Sequence, residues 1–285
     1  MVAMPSLLLF VSSPELSAEP ALQSTFRQIT ELEYREADQR LAYGAEPEQY
    51  FEQWFPPEYA EPLPLIVLVH GGCWLAEYGV SHIRPLASRI ASSGLAVAAL
   101  EYRRVGQEGG GWPGTFDDIA TGLEFISSMQ DPRLDLSQVI LVGHSAGGHL
   151  ALWASGRSLI EKSQTLYSEN PFMPRGVIGL AAITDLAAYS EGQNSCQEVT
   201  PKLMGGLPSE KPERYKQASP SQLGTTIPTV LLHGDQDTIV PIRQAQALSQ
   251  AKLVVIEGAG HFDMIHPGTA VFPGLLAAIE ELLDP

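Results

Sequence analysis

The chain has 285 residues, with 17 Lys and Arg against 33 Asp and Glu, for a net charge of −16. That balance disfavours a polyphosphate or anionic membrane partner, which requires a basic face, so neither nucleic acid nor a membrane surface is expected. A hydrophobic content of 44% with 18% charged residues is the composition of a globular chain with a sizeable core. No apolar run approaches the ~20 residues needed to span a bilayer. Leu7–Val11 is too short for a secretory leader and has no Lys or Arg before it. The two cysteines, Cys73 and Cys196, stand far apart and do not form a disulfide framework, so a reducing, cytoplasmic setting is expected.

Residues 1–40 read as a polar lead-in, partly helical, with Phe26, Ile29 and Leu32 at helical spacing. The stretch 41–55 mixes aromatics with turn residues, as an antiparallel hairpin does. A βα beat follows. LIVLV (65–69) is a continuous apolar run of the kind buried on both sheet faces. A helix around 82–93 stops at Gly94, and LAVAAL (95–100) is the next strand. Ile119, Leu123 and Ile126 stripe a helix over 117–129. QVILV (138–142) leads into a helix through HLALWA (149–154), ending at Gly156. GVIGLAA (176–182), TVLLH (229–233) and KLVVIE (252–257) complete the strands, and a last helix covers 273–283. Alternation of this kind predicts one mostly parallel sheet flanked by helices, a single domain over 1–285. The beat breaks over 184–227, which reads as one helix plus a cap or lid excursion.

Chemistry gathers at the strand ends. In GHSAGG (143–148) Ser145 sits between strand and helix with small neighbours, the context of a nucleophile elbow. HGGCW (70–74) follows LIVLV directly, and its glycines let N–H groups turn away from the sheet ladder. The N–H groups of Gly72 and Cys73, joined by that of Ala146, are the expected donors to an oxyanion. In HGDQDTIVP (233–241) Asp237 lies further from the strand end than Asp235, whose expected work is to cap the turn. Asp185 is a third candidate acid, with an ordinary role as helix N-cap. His261 in GAGHFD follows the last strand, so the order is Ser145, Asp237, His261. His144 and His149 read as neighbours of the elbow. GGGWPG (109–114) matches a dinucleotide fingerprint in letters only, because the following strand ends in Gly143-His144-Ser145 where an acidic residue is wanted. No metal-ligand spacing and no phosphate loop occur, so neither metal nor cofactor is expected.

Together HGGCW, EYRR (101–104), GHSAGGHLAL (143–152), ASP (218–220), HGDQDTIVP and GAGH resemble the α/β-hydrolase superfamily. They are most similar to esterase- and lipase-like members with an HGG oxyanion motif, a group that includes kynurenine-formamidase-like hydrolases. The resemblance covers roughly residues 41–283. It implies Ser145 as nucleophile, Asp237 as acid and His261 as base, acting on a small acyl substrate without a cofactor. Cys73 departs from the pattern, standing where many esterases carry a third glycine. The expected function is hydrolysis of a carboxylic ester through an acyl-enzyme. The alternatives are an arylformamidase and, from another class, a catalytically silent binding protein. Trp74, Tyr78, Trp112 and Phe262 adjoin the motifs and are candidates to line the substrate pocket. A homo-oligomer is left open.

Overall fold

The computed structural model describes residues 23–59 and 62–284, so the apolar run Leu7–Val11 lies outside the described residues. Eight strands form one sheet: β1 Gln39–Ala42, β2 Tyr50–Trp54, β3 Leu63–Val69, β4 Ala96–Leu100, β5 Leu134–His144, β6 Gly176–Leu180, β7 Thr229–Gly234 and β8 Lys252–Ile256. Their spatial order is β1-β2-β4-β3-β5-β6-β7-β8. β1 and β2 are the expected hairpin and pair antiparallel, as do β2 and β4; β4 through β8 run parallel.

Side chains alternate across the sheet, and β3 shows why it reads as unbroken apolar sequence. Leu65, Val67 and Val69 enter the core on one face, while Ile66 and Leu68 enter the core on the other. The first face is covered by α3 (Gly114–Ser127) and α4 (Ala146–Ser155), through residues such as Phe116, Leu123 and Leu150. The second is covered by α1 (Phe26–Thr30), α2 (Arg84–Ala91) and α10 (Val271–Leu283), through Ile29, Leu86 and Leu275. Gly94, with φ +97, closes the α2 turn in the left-handed region that favours glycine.

The irregular stretch is more helical than expected. In place of one helix it carries four: α5 Leu186–Ser190, α6 Ser195–Met204, α7 Pro212–Ala218 and α8 Pro220–Leu223, before α9 Arg243–Ala247 follows β7. Two to three turns or fewer per helix leave too little repeat for an apolar period to register, which is why the sequence pattern shows only one. Asn194 caps α6 by accepting from the Gln197 N–H at 2.9 Å, and Gly205 ends it at φ +70.

The strand order reverses at β3, which has β4 on one side and β5 on the other. At such a reversal the loops leave in opposite directions and open a crevice at the carboxyl ends of the strands. HGGCW leaves β3 and the Ser145 turn leaves β5, so the two loops meet there.

Candidate active site

Ser145 has φ 56 and ψ −119, a conformation that costs a residue with a Cβ ~1–3 kcal/mol and persists only under constraint from around it. Its N–H donates to Leu180 O at 2.9 Å, and its carbonyl accepts from His149 N at 3.0 Å in the first turn of α4. The turn is tight enough that a Cβ on Gly147 would collide with the carbonyl oxygens of Val69 and His70. Glycine is therefore required where the elbow crosses the end of β3. Gly72, Cys73 and Trp74 run consecutively through the left-handed region, at φ +100, 54 and 56. Among the described residues the N–H groups of Gly72, Cys73 and Ala146 have no acceptor. That of Ala146 opens α4, where the helix dipole adds to its pull on an anion.

Beyond β7, the Asp237 carboxylate is fully enclosed. Its Oδ1 accepts from the N–H groups of Ile239 and Val240, both at 2.8 Å, and its Oδ2 meets His261 Nδ1 at 2.7 Å. Burial alone raises this carboxyl, but the bond and charge of His261, with the two backbone donors, outweigh it and hold Asp237 below the usual carboxylate range. The other two acids are occupied elsewhere. Asp235 is exposed and accepts from Gly258 N at 2.8 Å, while Asp185 caps α5 by accepting from Ala188 N at 3.0 Å. With Nδ1 of His261 engaged, Nε2 is the ring nitrogen left for proton transfer. The Ser145 hydroxyl makes no hydrogen bond among the described residues; it and His261 line one cavity of about 190 Å³, together with Gly72 and Cys73. Phe26, Tyr78, His82 and Phe262 supply its aromatic wall, and Ser195, Cys196 and Ile239 face it from the cap and the acid loop.

The BD-FAE family model matches residues 52–252, well over half of the chain and the whole span from β2 to the start of β8. The chain belongs to the BD-FAE family. Among curated relatives, it is 26% identical to the probable isoprenylcysteine alpha-carbonyl methylesterase ICME of Oryza sativa subsp. japonica, over 81% of this chain and 59% of that protein. It is also 26% identical to Esterase LipC of Mycobacterium tuberculosis, over 90% of this chain and 68% of that protein. The chain spans about half to two thirds of the length of the curated relatives it matches. Among solved structures, a truncated carbohydrate esterase from gut microbiota superposes with a TM-score of 0.74 at 20% identity, covering 88% of this chain and 97% of that one. Esterase B from Lactobacillus Rhamnosis gives 0.73 at 21% identity, covering 88% of each chain. The fold is that of an α/β-hydrolase.

In this BD-FAE chain several residues around the site make contacts that the sequence did not foresee, among them His144 and His149, read there only as neighbours of the elbow, and Glu101, read only as part of EYRR. Glu101, at the end of β4, gathers the start of the HGGCW loop and its neighbours around one buried carboxylate. Its Oε1 meets His70 Nε2 at 2.8 Å, Tyr102 N at 2.9 Å and Arg104 Nη1, while its Oε2 accepts from Val80 N at 2.9 Å. A charge closing a buried strand was the available signal, since such a group must find partners nearby. His144 Nε2 donates to the His261 carbonyl at 3.1 Å; burial, then the neighbouring His261, keeps this imidazole neutral. His149 Nε2 reaches Ala218 O at 2.9 Å and so ties α4 to the cap. Phe26, noted only for its helical spacing, packs edge-on against Tyr78 and His82 with ring centroids 5.4 and 5.5 Å away.

Two of the four pocket candidates are placed elsewhere. Tyr78 and Phe262 line the cavity. Trp74 is fully buried against His149 and Tyr189, and Trp112 packs on Phe116; neither lines the cavity. Chain adjacency misled here because side chains of successive residues in a turn diverge, Cys73 towards the cavity and Trp74 into the core. The cysteines also require correction. Cys73 and Cys196 are bonded to each other, with Cα atoms 4.8 Å apart across 123 residues. The start of α6 thus meets the HGGCW loop, a contact that no spacing reveals. Cytoplasmic residence therefore no longer follows from cysteine usage. Among the described residues no group of three or more His, Cys, Asp or Glu is placed to hold a metal ion, and no helix is long and apolar enough to cross a membrane.

Proposed function

We propose that this chain is a serine hydrolase that cleaves carboxylic esters of small acyl substrates. The observation that carries the reading is one cavity lined both by Ser145 on its constrained turn and by a histidine whose Nδ1 is held 2.7 Å from an enclosed carboxylate. Each neighbour then has a defined task. Ser145 Oγ attacks the ester carbonyl while His261 Nε2 takes its proton. Asp237 fixes the tautomer with the proton on Nδ1 and stabilises the imidazolium that forms. Negative charge on the carbonyl oxygen is met by the N–H groups of Gly72, Cys73 and Ala146, each of which is worth about 3 kcal/mol to such a transition state. His261 next protonates the leaving alcohol, and water, activated by the same ring, releases the acid and regenerates Ser145.

The names of the relatives support an ester as the bond cleaved. Both curated relatives named above are called esterases. A cavity of about 190 Å³ with an aromatic wall suits a small acyl group beside an apolar or aryl leaving group. The test is a panel of p-nitrophenyl esters of rising acyl length, run against N-formylkynurenine with Ser145→Ala as control. Turnover of the short esters, lost in the control, is expected. Preference for the formamide would identify an arylformamidase, and no turnover of either would favour a binding protein.

A further inference from the structure

Cys73 is the first of two central residues in a tight turn from Gly72 to Leu75, and both stand at positive φ. Gly72 O accepts from Leu75 N at 2.9 Å, a single bond that holds the peptide plane carrying the Cys73 N–H, and Trp74 O accepts from Val105 N at 2.8 Å. The peptide N–H and carbonyl of Cys73 bond to nothing among the described residues, yet its backbone stands at φ 54, where a residue with a Cβ is disfavoured. What ties it is its sulfur. Cys196, the second residue of α6, is bonded to it, and both residues line the cavity beside Ser145. The start of α6 is fixed from another side as well, since Asn194 Nδ2 donates to Ile239 O at 3.0 Å on the acid loop. The helix α6 is thus a second anchor for a turn whose two central residues, Cys73 and Trp74, both stand at positive φ.

We propose that Cys196 is a positioning residue: through its bond to Cys73 it holds the Cys73 N–H towards the oxyanion, so that a dithiol reductant, by cutting this tether, lowers catalytic rate. The inference rests on the hydrolase reading above. In the reductive step one thiolate of the dithiol attacks a sulfur of the pair and displaces the other as a thiolate. The second thiol of the reductant resolves the mixed disulfide. Two electrons and two protons pass to the protein, leaving Cys73 and Cys196 as thiols and the reductant as a cyclic disulfide. Freed of its tether, Cys73 relaxes towards negative φ, the turn opens with loss of the bond from Leu75 N to Gly72 O, and the peptide plane that carries the Cys73 N–H turns from the site, while the cavity keeps its aromatic wall. The loss therefore falls on kcat and spares KM.

The test combines thiol counting with kinetics. Native protein is alkylated with iodoacetamide before and after treatment with dithiothreitol and weighed intact, and kcat and KM are measured on p-nitrophenyl acetate after desalting. No thiol before reduction and two after it are expected, with kcat roughly 10- to 100-fold lower and KM within about twofold. Cys196→Ser should match the reduced enzyme and no longer respond to dithiothreitol. Cys73→Gly with Cys196→Ser should recover most of kcat, because glycine takes the left-handed conformation without a tether. Full kcat in Cys196→Ser, two alkylatable thiols in the untreated protein, or failure of the glycine rescue would each overturn the inference. A fluorophosphonate applied to every form keeps the two readings apart. Absence of an adduct on all forms removes the hydrolase reading and this inference with it. An adduct on all forms with unchanged kcat removes the tether alone.

Discussion

Asp237→Asn separates the tautomer-setting role proposed for this carboxylate from mere packing, because the structure dictates which way the amide must turn. Oδ1 of Asp237 accepts two backbone N–H groups at 2.8 Å, from Ile239 and Val240. An asparagine that kept its oxygen towards His261 would aim its NH2 at those two donors, leaving two buried N–H groups unsatisfied at about 1–3 kcal/mol each. The favoured orientation keeps the oxygen on Ile239 and Val240 and presents the NH2 to His261 Nδ1. That nitrogen must then accept, so the ring proton moves to Nε2, the atom needed to take the Ser145 proton. A base in the wrong tautomer costs about 10⁴ in kcat. At 1.36 kcal/mol per tenfold this is about 5.5 kcal/mol of barrier. Hydrolysis of p-nitrophenyl acetate gives kcat, and circular dichroism checks that the fold survives. Asp235→Asn serves as the comparison, since that exposed carboxylate bonds Gly258 N and touches neither Ser145 nor His261. A loss below about tenfold in Asp237→Asn, which the tautomer argument cannot accommodate, or a larger loss in Asp235→Asn, would refute the reasoning.

Other consequences concern stability. Glu101→Gln leaves Arg104 and the donors on His70, Tyr102 and Val80 around a neutral amide, and breaking a buried charge cluster in this way costs about 3–5 kcal/mol. At about 2–4 °C per kcal/mol, calorimetry should show Tm lowered by roughly 10 °C; an unchanged Tm would mean that Glu101 does not organise the HGGCW loop. Burial, then the neighbouring His70, lowers His82 to about 3, and burial lowers His149 to about 4. The unfolded chain takes up these protons near pH 6.5 and the folded one does not, so stability falls as pH drops through 6.5 and goes on falling towards the folded values. Between pH 7 and pH 5 the two rings together cost about 4 kcal/mol, measurable by urea unfolding at each pH. The slope should flatten in His82→Gln combined with His149→Gln, and an equally steep slope there would assign the proton uptake to other groups.

The sheet was legible because β3 to β7 are buried on both faces and so appear as unbroken apolar runs, a signal independent of distant neighbours. The motifs were legible for a related reason: parallel strands deliver their ends to one edge, so a residue just past a strand shares that edge with the others. Asp237 could be preferred over Asp235 by its reach beyond β7, and the structure puts Asp237, not Asp235, against His261. What escaped the sequence depends on contacts across long stretches of chain. Cys73 meets Cys196 across 123 residues, and the His144 ring meets the His261 carbonyl across 117. Phe26 enters the cavity from a five-residue helix whose spacing reports burial but not the cavity it joins. The stretch from α5 to α8 was visible as a break in rhythm, yet α5 and α8 are too short for periodicity to resolve them.

Everything proposed for this chain turns on Ser145 as a nucleophile activated by His261. Its most direct test is stoichiometric labelling with a fluorophosphonate, followed by intact-mass and peptide-level mass spectrometry. One adduct per chain, located on Ser145, abolished in Ser145→Ala and strongly slowed in Asp237→Asn, is the predicted result. Protein that stays unmodified, or that carries its adduct on another residue, would contradict the account.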